Sequence, residues 1–163
     1  MRKVTFMKIY TILVVDDQSI IRDTIKRFFS KDNYTILLAE TAEEALSTLA
    51  KTKVDVVVSD QVMPGMSGTD FLTIVSQDYP DTIRIILTGY ATLETAIQAI
   101  NQGQVHRFFT KPCKIEALSQ AIRELLHNRT GTGKSRVIST IEREHPGITK
   151  VKRDEDGAII IDE

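Results

Sequence analysis

Apolar and polar positions along the chain alternate between two periods. Five short runs stand out: IYTILVV (9–15), YTILLA (34–39), VDVVVS (54–59), IRIILT (83–88) and VHRFFT (105–110). They are rich in β-branched and aromatic residues and nearly continuous in hydrophobicity, as strands covered on both faces are. Between them, apolar residues recur at helical spacing. Ile21, Ile25 and Phe28–Phe29 mark the first such stretch, and Ala42, Ala45, Leu46 and Leu49 the second. Thr41 and Glu44 precede the second with the spacing of a capping box. Phe71, Leu72 and Val75 mark the third, after the Pro64–Gly65 turn signal; Leu93, Ala96, Ile97 and Ile100 mark the fourth; Ile115, Leu118, Ile122 and Leu125 mark the fifth. Strand then helix, five times over, predicts an α/β fold: a parallel sheet with helices on both faces and right-handed crossovers.

In such a sheet, ligands sit beyond the carboxyl ends of the strands. The first run ends in Asp16–Asp17, the third in Asp60, the fourth in Thr88–Gly89 and the fifth in Thr110–Lys111–Pro112. Taken singly, these residues read as turn formers, caps or solvated loop positions; Asp17, for one, is placed to cap the first helix. Their meeting at one edge changes that reading. Crowded carboxylates repel, so a proton or a cation must relieve them. Oxygen donors without histidine or cysteine favour a hard ion, Mg²⁺ above all. A carboxylate is also a nucleophile toward phosphorus. Phosphoryl transfer asks mainly for positioning and charge neutralisation, which a metal, Lys111 and the Thr88 hydroxyl would supply.

Composition narrows the classes. The 163 residues predict one domain with a small appendage, and 42% apolar with 26% charged residues is ordinary for a globular chain. A formal net charge of −1 gives no global attraction to nucleic acid or to an anionic membrane. The single Cys113 rules out an intrachain disulfide or a cysteine metal cluster and reads as packing. His106, alone in the fifth run, reads as an edge or surface residue rather than a ligand. No apolar run approaches the roughly 18 residues of a membrane span. The start, MRKVTFMKIYTILVVDD, is basic and then apolar, but Lys8 interrupts it, Asp16–Asp17 end it and no small-residue cleavage site follows. That argues against a signal peptide and for the cytoplasm.

Four motifs, LVVDDQ (13–18), VSDQVMPGMSG (58–68), LTGY (87–90) and FFTKP (108–112), occur in this order. Together they resemble the receiver domain of bacterial two-component response regulators, over about residues 9–127. The resemblance implies a doubly wound, flavodoxin-like sheet of five parallel strands in the order 2-1-3-4-5. It implies that Asp60 is the phosphoacceptor and that Asp16, Asp17, Asp60 and the Val62 carbonyl hold Mg²⁺. Thr88 becomes the switch hydroxyl, Lys111 the phosphate-binding lysine, and Phe108 the switch aromatic, a place often held by tyrosine. Val62 and Tyr90 would flank the in-line path of water to an aspartyl phosphate and slow its loss. The chain would then be a signalling switch rather than an enzyme, catalysing only its own phosphorylation and slow dephosphorylation. Its partners would be a sensor histidine kinase or phosphotransfer protein, a downstream protein target, and as a candidate a second copy of itself, with no direct contact to nucleic acid or membrane.

Other classes fit less well. A phosphatase of the haloacid-dehalogenase type needs a second Asp two residues after the nucleophile, where Val62 stands. A flavin carrier needs hydroxyls and amides in its first loop, where Asp16–Asp17 would repel a phosphate. Residues 1–127 are therefore expected to form the receiver, and 128–163 a linker, a short helix over SRVISTIEREH (135–145) and a candidate β-hairpin turning near Asp156–Gly157. NRTGTGKSR lacks the glycine that a phosphate-binding loop needs at position 128 and follows a helix, so it reads as linker. The appendage carries seven basic and seven acidic residues and no helix-turn-helix pattern, so no DNA-binding output is recognised. Its apolar residues, among them Val137, Ile138, Ile141 and Ile159–Ile161, are expected to cover the receiver beside the fourth and fifth helices, or a second chain. The alternative is that the receiver belongs to a longer regulator.

Overall fold

A computed structural model of the chain describes residues 8–129; the expectations for the appendage lie outside them. The elements follow in strict alternation: β1 (Tyr10–Val15), α1 (Ser19–Phe29), β2 (Tyr34–Ala39), α2 (Ala42–Lys51), β3 (Val56–Ser59), α3 (Gly68–Asp78), β4 (Ile83–Thr88), α4 (Leu93–Asn101), β5 (Arg107–Thr110) and α5 (Ile115–His127). All strand pairs are parallel, in the order β2-β1-β3-β4-β5. The chain crosses from one side of β1 to the other between β2 and β3, so the switch point lies between the carboxyl ends of β1 and β3.

The period of two within each strand divides the core. Leu13 and Val15 of β1, Val57 of β3, Ile86 of β4 and Phe108 of β5 share one cluster with α2, α3 and α4. Ile12 and Val14, Val56 and Val58, Ile85 and Leu87, and Phe109 face the other way, against α1 and α5. Both faces are covered, which explains why the sequence shows apolar runs rather than clean alternation. Cys113 is partly buried against the second cluster. Among the described residues no helix is long and apolar enough to cross a membrane.

The caps depart in part from the sequence reading. Thr41 accepts the Glu44 N–H as expected, but the Glu44 carboxylate accepts from the Glu40 N–H, one residue short of a reciprocal box. The reciprocal box belongs instead to Thr92 and Thr95 at the start of α4. Asp17 does not cap α1; Gln18 occupies that place, with no side-chain cap bond. Asp17 therefore stays available at the site edge.

The amino ends of the strands are pinned by buried polar groups. Asp55 accepts the Thr11 N–H at 2.8 Å and pairs with Arg129 at 2.7 Å. Burial would raise its pKa, but these two partners outweigh burial and hold it below the ordinary carboxylate value. The buried Arg84 guanidinium donates to the carbonyls of Pro80, Thr82 and Gln104. Beside it, His106 stands half-buried just before the edge strand β5, bonded to its neighbour rather than free on the surface. Its Nδ1 accepts the Arg84 N–H at 3.1 Å, and its own N–H returns a bond to the Arg84 carbonyl. Burial first, and then the charge of Arg84, push its pKa down from 6.5 to about 4.

That shift predicts a pH dependence. Between about 4 and 6.5 the unfolded chain binds a proton at this imidazole and the folded chain does not. The stability contributed by neutral His106 is thus complete above pH 6.5 and is lost as pH falls through that window, by at most about 3 kcal/mol. Thermal melts of wild type and His106→Asn should diverge in slope between pH 7 and 4.5, with wild type losing more. Parallel slopes would contradict the buried, neutral assignment.

Candidate functional site

The carboxyl edge of the sheet gathers the residues that end the strands. Ser59 of β3 pairs with Ile86 of β4, so Asp60 and Thr88 leave adjacent strands at the same edge. The Asp60 N–H donates to Val15 of β1 at 2.8 Å, which seats Asp60 next to the Asp16–Asp17 loop. On the other side, the Lys111 N–H donates to the Thr88 carbonyl at 2.8 Å. From there the Lys111 side chain reaches back across β4, and its Nζ lies 2.7 Å from Asp16 Oδ2 and 3.2 Å from Asp60 Oδ2.

Carboxylate oxygens of Asp16, Asp17 and Asp60 lie within 4.8 Å of one another. Asp16 is 2% exposed and Asp60 7%, whereas Asp17 is open to solvent. Each buried carboxylate keeps part of its hydrogen bonding. Asp16 Oδ1 accepts the Gln18 N–H at 2.9 Å, and Asp60 Oδ1 accepts those of Gln61 at 2.7 Å and Val62 at 3.4 Å. Burial pushes the Asp16 pKa up, more than its bonds to Lys111 and Gln18 push it down. Burial alone would lower Lys111, but Asp16 and Asp60 outweigh it and hold the amine above its ordinary pKa. An ammonium therefore sits among the carboxylates at neutral pH. All the donors are oxygens, in a half-buried cup, and this fits a hard divalent cation as well as a lysine.

The remaining candidates line the same edge. The buried Thr88 hydroxyl accepts the Tyr90 N–H at 3.1 Å. Phe108 is 1% exposed, in the core on the α2–α4 side of the sheet. Val62 and Tyr90, by contrast, are 51% and 67% exposed.

Two contributors escaped the sequence reading. Gly68 opens α3 directly beneath the loop that follows Asp60. Its N–H donates to the Gln61 carbonyl, and a Cβ there would overlap the Asp60 carbonyl oxygen. The motif contains this glycine, but only the close approach says why. Arg22, on α1, donates to the Asp16 carbonyl at 2.7 Å. Nothing in its local pattern marks it, because its partner is a backbone atom.

Comparison with known proteins gives a consistent result. The family model described as "Response regulator receiver domain" matches residues 12–123. The hydrogenase transcriptional regulatory protein HoxA of Cupriavidus necator is 32% identical over 114 residues, 70% of this chain and 23% of HoxA. The match covers about a quarter of the length of HoxA and of the GlrR and NtrC regulators. A crystallised signal receiver domain of an HD domain-containing protein from Pseudomonas fluorescens superposes with a TM-score of 0.73 at 36% identity, covering 76% of this chain and 98% of that one. A response regulator from Burkholderia pseudomallei, crystallised with a phosphorylated aspartic acid, calcium ion and citrate, superposes with a TM-score of 0.69 at 26% identity, covering 84% and 75%.

The two glycines at this edge separate sharply. Gly68→Ala is expected to cost about 1–3 kcal/mol, because backbone must shift to admit the methyl group. At Gly89 the nearest atom to an added Cβ is that of Lys111, 4.0 Å away, so Gly89→Ala should be nearly silent. Thermal melting of the two variants tests this; equal melting temperatures would show that the Asp60 loop is not packed on Gly68.

Proposed function

The chain belongs to the response regulator receiver family, and from that premise we propose that Asp60 accepts a phosphoryl group from a sensor histidine kinase or phosphotransfer protein, with Mg²⁺. Receiver domains are phosphorylation-dependent signalling switches. The observation that carries the finer reading is the convergence of the Asp16, Asp17 and Asp60 carboxylates within 4.8 Å, with the Lys111 ammonium on two of them. The phosphorylated aspartic acid of the Burkholderia pseudomallei regulator supports it from outside.

In this reading an Asp60 oxygen attacks phosphorus while the bond to the donor breaks in line, its electrons leaving with the donor's nitrogen or oxygen. Lys111 exchanges a carboxylate partner for a phosphoryl oxygen, and being ammonium it neutralises charge there. The Thr88 hydroxyl accepts the Tyr90 N–H and keeps its own proton to donate to the phosphoryl group. Asp16, Asp17, Asp60 and the Val62 carbonyl would hold Mg²⁺, which when bound screens the repulsion between carboxylates and incoming phosphate. A movement of Thr88 toward the phosphoryl group would repack the core around Phe108, which is already buried on the α4 side, and so change the surface offered to a downstream protein in the cytoplasm. Phe108 has no hydroxyl, so it reports by packing alone. The relatives' length and HoxA's role as a transcriptional regulator favour a second reading, in which this receiver governs a longer regulator.

Two experiments check the chemistry. Incubation with acetyl phosphate and Mg²⁺ should add one phosphate to wild type and none to Asp60→Asn by mass spectrometry; equal uptake would discard the assignment. Asp17→Ala should weaken Mg²⁺ binding and raise the Mg²⁺ concentration that phosphorylation needs, since it removes a charged ligand. Separately, the decay of phosphorylated protein after donor removal should be slow, because neither Val62 nor Tyr90 offers an acid or amide to orient water. Val62→Asn/Tyr90→Glu should decay faster, because it adds an amide and an acid that can orient a water or take its proton. Unchanged or slower decay refutes shielding by these side chains.

A further inference from the structure

We propose that Arg22 is a positioning residue for the metal site, fixing the peptide between Asp16 and Asp17 and thereby the place of the Asp17 carboxylate. The inference rests on the reading that this edge holds Mg²⁺. It starts from an asymmetry among the three acids. Asp16 is held by Gln18 and Lys111, and Asp60 by Gln61 and Lys111. Asp17 is exposed, and among the described residues its carboxylate makes no hydrogen bond or ion pair. Only the backbone decides where it stands.

Arg22 holds that backbone. One guanidinium nitrogen donates to the Asp16 carbonyl at 2.7 Å, and the other reaches Glu40 Oε1 at 3.2 Å. The side chain is 11% exposed and cannot drift freely. Glu40 is itself anchored, its N–H donating to the Glu44 carboxylate at 3.0 Å. One residue earlier, the Ala39 carbonyl accepts the Asp16 N–H at 3.1 Å. The guanidinium is thus a strut between the β1–α1 and β2–α2 loops, applied at the peptide that joins the two acids. The ion pair to Glu40, whose carboxylate is 67% exposed, adds little by itself. The bond to the carbonyl sets the geometry, and the pair orients the guanidinium.

Charge and geometry predict opposite signs. A guanidinium near a cation site repels the cation, so by Coulomb's law alone its removal tightens Mg²⁺ binding. As a strut, its removal loosens Asp17 and weakens binding. Lysine separates the two further: it keeps the charge and the aliphatic stem, but its single ammonium cannot span both partners as the planar fork does.

Isothermal titration of Mg²⁺ into the full chain, without phosphodonor, reads this directly. Arg22→Ala and Arg22→Lys should each raise the dissociation constant about tenfold, the usual scale for residues that orient metal ligands. Glu40→Gln keeps an acceptor and should stay within about twofold of wild type, as expected where hydrogen bonding rather than ionic attraction matters. At saturating Mg²⁺, the Arg22→Lys rate with acetyl phosphate should return to within about twofold of wild type, since the defect lies in binding alone. Equal or tighter Mg²⁺ binding in both Arg22 variants overturns the proposal. So does a rate deficit in Arg22→Lys that saturating Mg²⁺ does not repair, which marks a general structural role. If wild type takes up no Mg²⁺, or Asp17→Ala binds it as wild type does, the metal-site reading itself fails, a result distinct from either.

Discussion

Three carboxylates within 4.8 Å of one another repel, and the Lys111 ammonium, bonded to two of them, relieves that repulsion. The rest of the carboxyl edge is arranged around this contact. Lys111 directly follows the outer strand β5, Asp60 follows β3 and Asp16 follows β1. The strands themselves stand roughly 14 Å apart from β5 to β1 at the usual spacing. Only a long, unbranched side chain anchored on the Thr88 carbonyl, meeting short acids from the other side, closes that gap. A cation bound among the acids would compete with Lys111 for them, and a phosphoryl group on Asp60 would offer Lys111 a new partner. The same electrostatic demand is therefore met in different ways as the switch changes state.

The two ends of the sheet are built differently. At the amino end, Arg84 is surrounded by carbonyls, His106 is held neutral, and Asp55 is locked between Thr11 and Arg129. Arg84 and Asp55 are themselves buried, and leaving either without its partners would strand a polar group away from water, which is costly. At the carboxyl end, the Asp16 and Asp60 carboxylates are bonded to N–H groups at the start of loops and to the Lys111 ammonium. The base of the domain is thus tied across strands by neutral and paired groups, and the proposed chemistry is gathered at the opposite edge. Gly68 serves that edge, since it lets α3 start hard against the Asp60 loop without pushing that loop out of place.

Much of this was legible in the sequence. Five apolar runs and five helical spacings determined the parallel sheet and its helical cover, because a strand buried on both faces has no choice but continuous hydrophobicity. The residues that end the runs, Asp16, Asp17, Asp60, Thr88 and Lys111, determined that charges of both signs meet at one edge, because parallel strands all point the same way. What only the tertiary structure decided is where hydrogen bonds cross between segments distant in the chain. The protonation of His106 follows from burial beside Arg84, the glycine at 68 from a carbonyl eight residues back, and the work of Arg22 from a loop that β2 brings alongside. Each of these partners is a backbone atom or a desolvated space. Neither leaves a periodicity or a composition in the sequence, so folding alone reveals it.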